Sequence, residues 1–96
     1  MRERVRGKFV RALQEIAHEL ETVGRYEEAI ELYSRGIEAD DLVEPFYQGL
    51  IRSYQALGRR TEAASAYRRL RQTLSVTLGI QPGLESQRLF EELLLQ

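Results

Sequence analysis

The sequence predicts an all-α fold: two helical hairpins stacked on each other and closed by a fifth helix. Three observations predict it. Apolar residues recur at three- and four-residue spacing along nearly the whole chain, the period of an amphipathic helix. A 34-residue offset superimposes the first hairpin on the second. The seven glycines and two prolines fall mostly at the borders of the periodic segments.

The first helix carries Phe9, Leu13, Ile16, Leu20 and Val23 as one apolar face. Gly24 ends it, because glycine enters the left-handed region without Cβ strain. A second helix presents Tyr26, Ala29, Ile30, Tyr33 and Ile37, with Ala29 small where helices approach closely. Asp40-Asp41 and Glu44-Pro45 mark the break, and Pro45 suits a first helical turn, where no amide donor is needed. The third helix presents Phe46, Tyr47, Leu50, Ile51, Tyr54 and Leu57 and stops at Gly58. The fourth presents Ala63, Tyr67, Leu70, Leu74 and Leu78. After Gly79 and Pro82-Gly83, a fifth carries Leu84, Leu89, Phe90, Leu93 and Leu94.

The offset pairs Gly24 with Gly58, Arg25 with Arg59, Glu28 with Glu62, Ala29 with Ala63, Tyr33 with Tyr67 and Arg35 with Arg69. It also keeps apolar character between Leu13 and Tyr47, Ile16 and Leu50, and Leu20 and Tyr54. A helix–turn–helix unit of 34 residues is the tetratricopeptide repeat. The expected architecture is a right-handed superhelix with repeat one over about 10–43, repeat two over about 44–77 and a capping helix over about 83–95. Each hairpin alone leaves an apolar face open, so stacking and a terminal cap are needed to close the core. Gly36 stands where such repeats usually carry alanine, which predicts a helix loosened by about 0.5–1 kcal/mol. The chain starts without a capping residue and ends on Leu93-Leu94-Leu95, which reads as a piece of a longer protein with Met1 as its start.

Composition narrows the function. Charged residues at 30% and hydrophobic ones at 43%, regularly spaced, exclude a disordered chain. The absence of cysteine removes disulfides and thiolate metal sites, and fits a cytoplasmic setting. No run approaches the roughly 18 apolar residues of a membrane span. The basic start (Arg2, Arg4, Arg6, Lys8) is not followed by the apolar core of a signal peptide.

Nothing resembles a reaction centre. His18 is the single histidine and has no second histidine or cysteine to share a metal. Glu27-Glu28 opens a helix, where negative charge favours the N-terminal dipole, and Asp40-Asp41 sits in a loop. Neither pair has the apolar pocket that acid–base chemistry requires. Phosphate-binding glycine motifs are absent, and Ser53, Ser65 and Ser75 have no histidine near them. No catalytic residue, metal site or cofactor is expected.

Binding is what remains. Ten acids lie between Glu15 and Glu44 against Arg25 and Arg35, while Arg52, Arg59, Arg60, Arg68, Arg69 and Arg71 face Glu62 alone. This reads as two solvated faces of opposite sign, or as a charge-complementary surface for stacking or self-association. In tetratricopeptide hairpins the first helix of each pair lines the concave side. The register aligns Gln14, His18 and Glu21 with Gln48, Arg52 and Gln55, a polar column suited to an extended or helical peptide. The repeat-defining structural residues are Gly24, Ala29, Tyr33, Gly58, Ala63 and Tyr67.

Two stretches carry a resemblance. RERVRGKFVRALQEIAHELETVGRYEEAIELY, from Arg2 to Tyr33, resembles the bacterial transcriptional activator domain, and so does the segment from Gln55 to Leu95. The most specific part is ALGR…EA…AY..LR..L...LGI.P and the closing helix. The resemblance implies a tetratricopeptide-like regulatory module of a bacterial transcription regulator. Such a module usually follows a DNA-binding domain, so DNA contact is expected from an absent domain and a protein partner from this chain. The family's further upstream helices are absent here. Two alternatives stand beside it: a stand-alone peptide-binding repeat protein, and a weak nucleic-acid binder using the arginine-rich second hairpin.

Overall fold

The structure is a computed structural model that describes residues 3–95, with side chains from residue 7 onward. Met1, Arg2 and the side chains of Arg4 and Arg6, which belong to the basic start, lie outside the described residues. Five helices follow in order: α1 Glu3–Thr22, α2 Tyr26–Ala39, α3 Glu44–Ala56, α4 Arg60–Leu78 and α5 Leu84–Leu94. There is no strand among the described residues. α1 packs on α2, α2 on α3 and α3 on α4, while α3 also meets α1, and α5 leans on both α3 and α4.

The 34-residue period is visible as repeated geometry. Gly24 and Gly58 both have positive φ, 83° and 75°. At the first turn the Gly24 N–H donates to the Glu21 carbonyl at 3.0 Å and the Arg25 N–H to that of Leu20 at 2.8 Å. At the second, Gly58 donates to Gln55 at 3.0 Å and Arg59 to Tyr54 at 2.9 Å. Each following helix opens on an arginine whose guanidinium grips the glutamate three residues on. Arg25 meets Glu28 and Arg59 meets Glu62, in both cases at 2.6 and 2.7 Å.

The core holds Ala17, Ala29, Tyr33, Ile37, Phe46, Tyr47, Ile51, Ala63, Leu70 and Leu74. A fully buried Ile, Leu or Phe among them contributes about 1.5–3 kcal/mol. Between the hairpins, α2 and α3 interlock through two glycines. The Tyr33 ring lies over Gly49 and the Phe46 ring over Gly36, leaving no space for a Cβ at either glycine. Gly36 therefore does more than loosen α2: it lets Phe46 seat against the helix backbone. The two rings stand 6.4 Å apart at 59°.

The apolar stripe predicted for α1 needs correction. Leu13 is buried and Leu20 half-buried, but Phe9, Ile16 and Val23 are 48%, 52% and 64% exposed. Ala17 takes the buried place beside Leu13. The apolar arc of α1 is wider than the part that α2 and α3 cover. Leu57, Leu78, Leu84 and Leu94 are also exposed, because they sit at helix ends beyond the neighbouring helix.

Candidate functional site

The first helices of the two hairpins, α1 and α3, are tied by an ion pair. Arg52 on α3 donates to Glu21 on α1, Nε to Oε2 at 2.6 Å and a second nitrogen to Oε1 at 3.1 Å. The Tyr33 hydroxyl of α2 donates to the same Oε1 at 2.8 Å. One carboxylate thus takes three donors from two other helices. The Glu21 side chain keeps 12% of its exposure and that of Arg52 keeps 33%, so the pair is partly desolvated and charge-assisted. Burial, and then the Glu21 carboxylate, push the Tyr33 phenol well above its ordinary range. The bond to Glu21 raises Arg52 in turn.

One turn toward the start of α3 the polar column is occupied by α5. Gln48 Nε2 donates to Ser86 Oγ at 2.9 Å, and the Ser86 hydroxyl donates to Glu44 Oε2 at 2.5 Å. The Gly83 N–H donates to the same Glu44 oxygen at 2.7 Å. α5 has no side-chain cap of its own. Glu44 reaches across from α3 and supplies one, satisfying the Gly83 N–H at the helix start together with the Ser86 hydroxyl.

The remaining column residues stand apart. Gln14 and the exposed His18 line a shallow depression of ≈ 320 Å³ on α1 with Arg11 and Glu15. Gln55 is half-buried at the end of α3. Beyond the column, α4 and α5 enclose an open crevice of ≈ 630 Å³, lined by Tyr67, Arg71, Ser75, Ile80, Pro82 and Phe90. The Tyr67 and Phe90 rings stack beside it, 4.3 Å apart at 9°.

With this geometry in hand, the similarities to known proteins become specific. Residues 1–94 match the family described as the bacterial transcriptional activator domain. The chain belongs to that family. A solved structure of Mycobacterium tuberculosis EmbR in complex with a low affinity phosphopeptide is similar over 96% of this chain and 24% of that chain, with a TM-score of 0.84 and 30% identity. Small glutamine-rich tetratricopeptide repeat-containing protein 2 of Mycosarcoma maydis is 40% identical over 50 residues, which is 52% of this chain and 14% of that protein. The chain therefore spans less than a quarter of either relative. Both likenesses agree with the tetratricopeptide-like stacking of the helices.

In this bacterial transcriptional activator domain the repeat-defining residues fall into two groups. Ala29 and Ala63 are both fully buried, and Gly24 and Gly58 form matching turns. Tyr33 and Tyr67 are both buried and both reach toward the next helix, but onto different neighbours. Tyr33 lies on Gly49 of α3, whereas Tyr67 stacks on Phe90 of α5.

The column reading missed Glu44 and Ser86. Ser86 follows Arg52 by the same 34 residues that separate Arg52 from His18, so extending the register once more reaches it. In the sequence, Glu44 stands out only as part of the break before α3. Other charges have local structural tasks. Asp40 accepts from the Leu42 N–H at 3.1 Å and shapes the turn. Among the arginines of the second hairpin, Arg52 and Arg59 hold glutamates and Arg60 donates to the Leu93 carbonyl at 3.4 Å, while Arg68, Arg69 and Arg71 are exposed on α4. Among the described residues, no group of three or more His, Asp or Glu side chains could hold a metal ion, and no helix is long and apolar enough to cross a membrane.

Proposed function

We propose that this bacterial transcriptional activator domain is a non-catalytic protein-binding module of a cytoplasmic transcription regulator, with residues 10–43 and 44–77 as its repeats and 83–95 as its cap. Its partner is polypeptide, supplied by another domain of the same regulator or by a second copy, and DNA contact belongs to a part of the regulator outside this chain. The carrying observation is the polar face of α1. Gln14, His18, Arg11 and Glu15 surround a depression on a helix whose far end is clamped by the Glu21–Arg52 pair. Polar side chains on a helix anchored in this way offer hydrogen-bonding partners to a peptide. That EmbR is solved with a phosphopeptide supports a polypeptide ligand for a relative of this chain.

The test is a binding titration of the chain against the remainder of its regulator, followed by hydrogen exchange. Gln14→Ala with His18→Ala is expected to weaken the complex at least about tenfold, roughly 1.4 kcal/mol. Unchanged affinity, with protection elsewhere, would remove α1's polar face from the reading. A second reading rests on exposed Arg68, Arg69 and Arg71 meeting nucleic acid. It requires affinity that falls steeply with salt and is lost in the double variant Arg68→Glu, Arg69→Glu.

A further inference from the structure

Where α4 meets α5 the 34-residue period loses its helical counterpart. It carries positions 44–49, which open α3, to positions 78–83. There α4 runs on to Leu78, and 79–83 form a non-helical link into α5. In the first turn of α3, Phe46 and Tyr47 are fully buried and Phe46 seats on α2. Their counterparts Ile80 and Gln81 are exposed and line the open crevice of ≈ 630 Å³ between α4 and α5. The crevice thus stands where a helical turn is missing inside the chain. What fills the equivalent joint is α3's own first turn, not the helix that follows it. The link forms a preformed wall: the Ile80 N–H donates to the Leu74 carbonyl at 3.4 Å, and Gln87 Nε2 to the Pro82 carbonyl at 2.7 Å. The stacked Tyr67 and Phe90 rings give the crevice an apolar side.

The equivalent helices α2 and α4 also differ in sign. α2 carries Glu27, Glu28, Glu31 and Glu38 against Arg35, whereas α4 carries Arg60, Arg68, Arg69 and Arg71 against Glu62. Where the first repeat has the buried Ile37, the second has Arg71, exposed on the crevice. Among the described residues no acid forms an ion pair with Arg68 or Arg71, and Glu91, on the α5 rim, pairs with neither. We propose that the crevice takes a large apolar side chain of an acidic polypeptide segment, whose flanking carboxylates meet Arg71 and Arg68. A guanidinium beside an apolar recess fits a carboxylate next to a large side chain. Arg68, Arg71 and Ser75 stand at i, i+3 and i+7, a row about 10 Å long on α4. That is the reach of about three residues of extended chain, so the row fits a peptide and extends past the crevice itself. Glu91 repels acid on the α5 side and leaves the α4 side to the carboxylates. This surface goes beyond the peptide-binding reading of α1, which packs on neither α4 nor α5.

The probe is an acetylated, amidated pentapeptide of one phenylalanine with two aspartates on either side, titrated into the 96-residue chain and followed by NMR. A Kd of about 0.1–1 mM is expected, with shift changes centred on Arg71, Ser75 and Ile80. Alanine for the peptide's phenylalanine should weaken binding at least about tenfold, and asparagine for its aspartates at least about threefold. Arg71→Ala should weaken it at least about threefold. Arg69→Ala removes the same charge from the other side of α4, since two residues turn a helix by about 200°, and should change affinity little. Ser75→Phe fills the crevice from an exposed position and should weaken binding at least about tenfold with helical content unchanged. Gln14→Ala with His18→Ala should leave the affinity as it is, which separates this site from the proposed face of α1. A peptide with alanine that binds as tightly would reveal a basic surface only and overturns the inference. So does an Arg71→Ala variant that binds like the parent chain, or an absence of shift changes at about 10 mM peptide.

Discussion

Phe46 occupies the space that a side chain at Gly36 would need. An ideal Cβ on Gly36 would stand 2.6 Å from the Phe46 Cζ. Helix propensity alone says that Gly36→Ala gains up to about 1 kcal/mol. The buried Phe46 ring cannot give way like the end of a flexible side chain, and overpacking costs about 1–3 kcal/mol. Gly36→Ala is therefore expected to lower stability by about 1 kcal/mol net, or about 4–8 °C in Tm for a chain of this size. Urea titration with an unchanged m-value would check it. A more stable variant would show that the contact relaxes freely.

Glu21 and Arg52 give a second test, best read against Arg25 and Glu28. The latter pair is more than half exposed on both sides and is expected to show a coupling energy of about 0.5 kcal/mol or less. The partly desolvated Glu21–Arg52 pair, with Tyr33 as a third member, should couple by about 1–2 kcal/mol after allowance for the third of Arg52 that stays exposed. Two double-mutant cycles to alanine decide it. Equal couplings would mean that the clamp is no stronger than a surface pair.

The same clamp makes stability depend on alkaline pH. Burial and Glu21 push the Tyr33 phenol up, and burial also raises Tyr47. In the unfolded chain a tyrosine loses its proton near pH 10. Above that, the unfolded chain releases protons that the folded one keeps, so stability is intact below about pH 10 and falls as pH rises further. Tyr33→Phe should lose about 1 kcal/mol at pH 7 and show a shallower decline above pH 10. Equal slopes in urea titrations across this range would exclude Tyr33 as a source.

Much of the fold was legible because its signals are local. The Gly24 and Gly58 turns, Arg25 with Glu28 and Arg59 with Glu62 all lie within a few residues and repeat in register. What could not be read depends on how helices rotate against each other. Periodicity locates the apolar side of α1 but not how much of that arc a neighbour covers, so Phe9, Ile16 and Val23 looked like core. The polar column was legible as spacing. That Glu21 and Arg52 bind each other, and that Gln48 binds Ser86, depends on side chains 31 and 38 residues apart meeting at hydrogen-bond distance.

Glu44 should control how firmly α5 is held. Its carboxylate accepts from the Gly83 N–H and the Ser86 hydroxyl at the start of that helix. Glu44→Ala removes the cap, at a cost of about 1 kcal/mol. Hydrogen exchange should quicken across 84–94 while α1 and α2 keep their protection. Uniform change over the whole chain would mean that α5 does not open separately.

Ser53 offers a substitution expected to stabilise. It is fully buried on α3, and its Oγ has no hydrogen-bond partner among the described residues. A buried hydroxyl without a partner costs about 1–3 kcal/mol. Alanine removes the oxygen, leaves a void smaller than a methyl group and favours helix by about 0.5 kcal/mol. Ser53→Ala should therefore raise stability by about 1 kcal/mol, read as a Tm higher by about 4–8 °C. Glu19, its counterpart one repeat earlier, is exposed on α1. Glu19→Ala should accordingly shift Tm by far less, since no buried polar group is relieved there. A drop in stability for Ser53→Ala would show that the hydroxyl is hydrogen-bonded in solution.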